Sequence, residues 1–307
     1  MADIRRATGG VVIEQMIHNT IVSDVLVIGV VSIDQLHIDG KSFRTVGGAG
    51  MYTAMAAQSG GASVELYAPR PRNMPSILKQ VDERLNWFGP QILSHELPHL
   101  EITHHGNDVA TLNAIEWGAE IKLDPEDLPS DLSECKIVHL AALSSAERQL
   151  HFLDACRSRG AQMISAGTYS HVVKHEPETV LTLMKEADIF FMNENEANGL
   201  FGSIGDIVTD PGKLVFVTLG RNGVIVLTDD VSEDIPASSV KVFDPTGAGD
   251  TFCGATLAGL VRGDHPIIAA RKAVAVAAHM IEAIGPIALW REVRLGECND
   301  YISTISN

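Results

Sequence analysis

Between residues 137 and 227, short apolar runs alternate with helical stretches, and this alternation limits the possible folds more than any other feature of the chain. Residues 137–141 read as a strand and precede a helix near 146–159. Residues 163–166 read as a second strand, ahead of a helix at 176–186. Residues 189–192, 215–219 and 224–227 follow as further strands. Short, wholly apolar strands separated by helices specify a largely parallel sheet covered by helices on its faces. Residues 25–31 form one more continuous apolar run of strand length. Residues 266–284 are alanine-rich and helical, with Gly285-Pro286 as the stop.

Outside this alternation, residues 36–44 read as a hairpin turning at Asp39-Gly40, a strong two-residue turn signal. A second hairpin fits residues 101–120, turning at Gly106-Asn107-Asp108. Residues 1–22 show no assignable pattern and are expected to form an arm ahead of an α/β domain at 23–307. A chain of 307 residues allows one large α/β domain or two smaller ones.

The formal net charge of −16 excludes a general nucleic-acid binder, which needs a cationic surface. No apolar stretch is long enough for a bilayer, and no signal-sequence pattern opens the chain. Cys135, Cys156, Cys253 and Cys298 are widely spaced and read as reduced thiols, so a cytoplasmic location is expected. Gly212-Lys213 is followed by Leu214, which rules out a P-loop. No His-Glu-x-x-His and no Cys-x-x-Cys occurs, so a zinc site has no support.

The chemistry is concentrated in Asp244-Pro245-Thr246-Gly247-Ala248-Gly249-Asp250, between a strand-like stretch at 240–243 and a helical one at 251–261. The glycines permit a tight turn and close approach to a ligand. The amides of Gly247, Ala248 and Gly249 would then open a helix, where unpaired N–H groups and the helix dipole attract an anion. An anion repels the carboxylate of Asp250, so binding alone does not account for it. It suits a base that takes a proton from a hydroxyl attacking a phosphate. A glycine-rich turn with a capping Asp is the plainer alternative.

Residues 244–252 resemble the C-terminal signature of the ribokinase-like (PfkB) carbohydrate kinases. Gly47-Gly48-Ala49-Gly50, Asn193-Glu194-Asn195-Glu196, and Val217-Thr218-Leu219-Gly220 with Gly223 follow that family's other motifs, in its order. The resemblance implies a mostly parallel central sheet flanked by helices, with the two hairpins (about 35–46 and 100–121) forming a small β-sheet lid that often pairs in a homodimer. It implies Asp250 as catalytic base and Gly247, Ala248 and Gly249 as anion hole. It places Asp34, Gly47, Gly48 and Tyr52 against the substrate, and Asn193, Thr218, Gly220 and Gly223 at the nucleotide. ATP and Mg²⁺ are implied, with Glu196 holding Mg²⁺ through water. Glu196 also fits a helix capping box. A monovalent cation such as K⁺ near Asp244 and Thr246 is a further implication.

Two departures fall on the substrate side. Tyr52 stands where many relatives carry Asn, and could stack, donate its phenol, or simply pack in the core. Residues 166–170, Ala-Gly-Thr-Tyr-Ser, replace a common Asp-x-Asn-x-Arg. The expected activity is ATP-dependent phosphoryl transfer to a hydroxyl of a sugar or polyol, with a nucleoside as the alternative acceptor. A non-catalytic binder of sugar or nucleotide is the competing class.

Overall fold

The computed structural model describes residues 20–105 and 110–290. In chain order the strands are β1 (Val25–Ile28), β2 (Ser32–Ile38), β3 (Lys41–Gly47), β4 (Val64–Tyr67), β5 (Arg70–Pro71), β6 (Asn86–Phe88), β7 (Gln91–Ile92), β8 (His99–His104), β9 (Ala110–Glu116), β10 (Ile137–Leu140), β11 (Ile164–Gly167), β12 (Ile189–Asn193), β13 (Leu214–Thr218), β14 (Val224–Leu227) and β15 (Ser232–Ile235). The helices are α1 (Ala49–Ser59), α2 (Lys79–Arg84), α3 (Ala146–Ser158), α4 (Ser170–His175), α5 (Pro177–Glu186), α6 (Glu194–Phe201), α7 (Ala248–Val261) and α8 (Pro266–Met280).

Nine strands make the large sheet, in the order β15-β14-β13-β12-β11-β10-β1-β4-β6. From β6 to β13 every neighbouring pair is parallel, and β14 and β15 close one edge antiparallel. The apolar runs that form the inner strands need no alternation, because both faces are covered. In β1, Val25 and Val27 enter a core shared with α1, α7 and α8. Leu26 and Ile28 enter the opposite core, with Phe152 of α3 and Val180 of α5.

A separate sheet, ordered β3-β2-β8-β9, forms the lid. Its first hairpin turns at Asp39 (φ 50°) and Gly40 (φ 72°), the two positive φ angles of a type I′ turn. The lid strands run over Ser32–Ile38, Lys41–Gly47, His99–His104 and Ala110–Glu116, and residues 118–122 form a 3₁₀ turn instead of continuing the hairpin. The expected turn at 106–108 lies outside the described residues, as does the expected arm of 1–22 as far as residue 19; of its last residues, Ile21 is packed in the core rather than free.

Three boundaries differ from the sequence reading. The apolar run 25–31 is not one strand. β1 stops at Ile28, because Gly29 passes against Gly50: a Cβ on Gly29 would lie 2.9 Å from the Gly50 Cα. The chain then leaves the large sheet, so Asp34 rides on the lid strand β2. Residues 240–243 form no strand; instead the amides of Phe243 and Asp244 donate to the Ile281 carbonyl at 2.7 and 3.1 Å. That carbonyl lies just past Met280, where α8 ends, four residues before the expected helix end at 284.

α7 is buried from Thr251 to Gly259 and lies against α1. Gly254 permits the approach: a Cβ there would sit 2.0 Å from the Thr53 carbonyl oxygen. This contact fixes the start of α7 relative to Gly48 and Tyr52 on α1.

Candidate active site

A cavity of about 340 Å³ opens between the lid and the C-terminal ends of the parallel strands, where open α/β sheets bind ligands. Asp34, Gly48, Tyr52, Asn193, Glu196, Thr218, Thr246, Gly247, Ala248, Gly249 and Asp250 all line it. Four other residues singled out in the sequence do not. Gly47 lies behind Asp34, and its missing side chain makes room for that carboxylate, since a Cβ would come 1.8 Å from Asp34 Oδ2. Asp244 is fully buried behind Thr246. Gly220 lies past Thr218, beyond the lining. Gly223 (φ 101°) is held against β15, where a Cβ would strike the Ile235 carbonyl oxygen at 2.0 Å.

Asp250 sits in the first turn of α7, with Gly247 as its N-cap in the left-handed region at φ 77°. Burial pushes the Asp250 carboxyl up to about 6. The three expected anion-hole amides are not equivalent. Ala248 donates its N–H to the Pro245 carbonyl at 3.1 Å, closing the turn that starts the helix. Gly249 faces open space, with nothing within 4 Å of a Cβ built on it. Gly247 lies over the Tyr52 ring, whose atoms come within 2.5 Å of where a Cβ would be.

Tyr52 therefore both packs and faces the site. Its ring supports the Gly247 turn, while its hydroxyl is buried without a hydrogen-bond partner among the described residues. Burial, followed by the charges of Asp244, Asp34 and Asp250, pushes the phenol well above its usual range. Asp34 is 2 % exposed and accepts the Leu100 N–H at 3.1 Å, and burial pushes it up to about 6.

At the other end, Asn193 caps α6. Its Oδ1 accepts the Glu196 N–H at 3.0 Å, and Glu196 Oε2 accepts the Asn193 N–H at 2.8 Å, which completes a capping box. Glu196 is 4 % exposed; burial pushes its carboxyl up to about 7, and the Asp250 charge adds to the rise. The capping geometry and the cavity-lining position thus belong to one residue.

Several lining residues carry no motif. Leu100, Leu112 and Ile115 come from the lid, with Trp117 just beyond it. Tyr169 faces Trp117 across 5.5 Å between ring centroids. His139, held neutral by burial that lowers it to about 3, bonds Ser165 at 3.0 Å and lies 3.6 Å from the Cys253 sulfur. Tyr169 falls in the segment where the sequence departs from the kinase pattern, which was the one available signal. None of the described residues lining the cavity is Lys or Arg.

Behind the turn at Thr246 and Gly247, the lid reaches the core. His104 Nε2 lies 3.1 Å from Thr246 Oγ1 and 3.4 Å from Asp244 Oδ1. Asp244 Oδ1 also accepts the Thr246 N–H at 3.0 Å, and Oδ2 accepts the Gly285 N–H at 2.8 Å. Burial raises the Asp244 carboxyl, but the donors from His104, Gly285 and Thr246 outweigh it and hold the group below its usual value.

Comparison with known proteins gives the family and the fold. The family model of the pfkB family carbohydrate kinases matches residues 24–292. A cytidine kinase from Thermococcus kodakarensis is 30 % identical over 253 residues, 78 % of this chain and 89 % of that protein. A probable sugar kinase from Rhizobium etli superposes with a TM-score of 0.77 at 19 % identity, over 92 % of this chain and 99 % of the other. A ribokinase from Cryptococcus neoformans in complex with ADP gives 0.75 at 18 % identity, over 91 % and 99 %. The last two share the fold. The chain belongs to the pfkB family of carbohydrate kinases. It is a phosphotransferase of the sugar and nucleoside kinase group, acting on a hydroxyl acceptor.

Proposed function

We propose that this chain transfers the γ-phosphoryl group of ATP to a hydroxymethyl group of a nucleoside. One observation carries the reading: a single cavity joins the Asp34 carboxylate and the Asp250 carboxylate to an apolar wall containing Trp117, Tyr169, Leu112 and Ile115. A carboxylate suits the hydroxyls of a pentose, and an aromatic and aliphatic wall suits a planar base. The sequence alone favoured a sugar or polyol. The wall, made of residues from two separate stretches of the chain, puts the nucleoside first, and the relative named a cytidine kinase supports it.

In this reading Asp250 takes the proton of the attacking hydroxyl. A carboxyl titrating near 6 is ionised at neutral pH yet basic enough to help. The N-terminus of α7, at Gly247 and Gly249, holds the charge on the transferred group. Asp34 accepts hydrogen bonds from the acceptor, and Gly47 gives it room. Asn193 and Thr218 lie on the nucleotide side, with Gly220 and Gly223 shaping the turn beyond Thr218.

The donor set fits Mg²⁺ held through water. Among the described residues no cluster of three ligating side chains exists, and Mg²⁺ is commonly bound by one or two carboxylates and substrate phosphates. Glu196 and Asp250 line the same cavity, and the Asp250 charge already raises Glu196. When bound, the ion would neutralise phosphate charge, which no Lys or Arg among the described lining residues does.

The reading extends to a homodimer through the lid, whose outer strand β9 is exposed at nearly every residue, and to the cytoplasm, where the buried free thiols of Cys135, Cys156 and Cys253 stay reduced. Cys298 lies outside the described residues.

The test is ADP release from Mg-ATP against cytidine, uridine, inosine, ribose, fructose and a polyol. Nucleosides should exceed free ribose by about tenfold or more in kcat/KM. Preference for a free sugar overturns the nucleoside assignment. ADP release with none of the acceptors overturns catalysis and leaves a binding protein.

A further inference from the structure

The family resemblance places a monovalent cation near Asp244 and Thr246, and the groups around Asp244 do not suit one. A hard cation is held by oxygen acceptors. Here the buried carboxylate is met by hydrogen-bond donors: the N–H of Thr246, the N–H of Gly285 and the imidazole Nε2 of His104. The His104 side chain is itself only 9 % exposed, and its Nε2 stands 3.4 Å from Asp244 Oδ1. The lid also fixes the second amide. Gly285 (φ 56°) passes so close to β3 that a Cβ would lie 2.1 Å from Thr45 Oγ1.

We propose that His104 takes the place of a bound cation, tying the lid to the turn that opens α7, so that phosphoryl transfer does not depend on K⁺. The inference rests on the kinase reading above. A cation would join Asp244 to its neighbouring loops by ligation. Hydrogen bonds from two loops and a lid side chain make the same connection here. His104 bonds Thr246 directly, and Thr246 precedes Gly247, so the ring holds the residue from which the anion turn starts. His104 is thus a positioning residue that touches neither acceptor nor phosphate.

Two measurements decide it, both made at equal ionic strength in potassium and in tetramethylammonium chloride. The first is the steady-state rate. The second is the melting temperature of the protein with ADP, which needs no turnover and so separates this inference from the kinase reading. The wild type should show rates within about twofold and one melting temperature in both salts, since an ion that bound the native state would stabilise it. His104→Ala should lower kcat by roughly tenfold with the KM for ATP unchanged, and K⁺ should recover most of that loss. His104→Gln keeps an N–H donor and should restore both the rate and the indifference to K⁺. A wild type activated several-fold by K⁺, or stabilised by it in a saturable way, overturns the inference. So does a folded His104→Ala whose lost rate does not respond to K⁺.

Discussion

At the scale of single residues, the site turns on Asp250. Asp250→Asn should keep ADP affinity and lose about 10²–10⁴-fold in kcat, the usual cost of removing a general base. In the wild type, kcat/KM should fall as pH drops through about 6, as Asp250 takes up a proton. Turnover of the Asn variant within a few-fold of wild type, with a good acceptor present, would remove Asp250 from the mechanism. The residues at 244–250 were readable in the sequence because their chemistry is local: two glycines, a helix start and an acid within seven positions. His104 was not, since its partner Thr246 stands 142 residues away. Nor was the aromatic wall, because Trp117 and Tyr169 come from separate stretches and each alone reads as an ordinary core residue. Tyr52 was seen as a departure. Its double use, with the ring under Gly247 and the hydroxyl toward the acids, needed the packing of α1 on α7.

At the scale of elements, the contact between α1 and α7 is the most exacting. Gly254→Ala places a methyl group 2.0 Å from the Thr53 carbonyl oxygen, and the helices must part to admit it. Forced overpacking of this kind typically costs about 1–3 kcal/mol. Asp250 lies one turn earlier on α7, so the shift should also lower kcat. Thermal unfolding and steady-state kinetics of the variant check both, and wild-type values in the two would show that the helices have slack. The inner strands were legible because burial on both faces leaves an unbroken apolar run. Their ends were less so. The stop of β1 depends on Gly29 meeting Gly50, a contact between distant positions. Residues 240–243 looked like a strand from their valines and phenylalanine, but their last amides are taken by the end of α8. The Asp39-Gly40 hairpin was legible because its turn chemistry is complete in two residues.

For the whole molecule, three carboxyls lining one cavity, Asp34 and Glu196 buried and Asp250 partly buried, set how stability depends on pH. Asp34, Glu196 and Asp250 stand near 6, 7 and 6, above their unfolded values near 4. The folded chain therefore holds protons that the unfolded chain releases. Their contribution to stability is fully present below about pH 4 and is lost as pH rises through 6 to 7. His139, lowered to about 3, acts in the opposite sense below its unfolded value of 6.5, but it is one group against three. Ligand-free protein should lose stability between pH 4.5 and 6.5, roughly 1.4 kcal/mol per pH unit for each uncompensated group. Asp250→Asn should flatten that slope, which chemical unfolding at several pH values will measure. A slope of opposite sign, unaltered by Asp250→Asn, would contradict the raised carboxyls of the cavity. The division of labour between the two sheets has a consequence for inheritance. Asp34, Thr45 and His104 belong to the small sheet, whereas Asp250 and the turn before it open α7, outside that sheet. Exchange of residues 32–47 and 99–116 between relatives would carry Asp34, the proposed acceptor ligand, and His104, the proposed anchor of the turn, together. Substrate choice can then drift as a transferable module, while the phosphoryl-transfer machinery stays with the recipient.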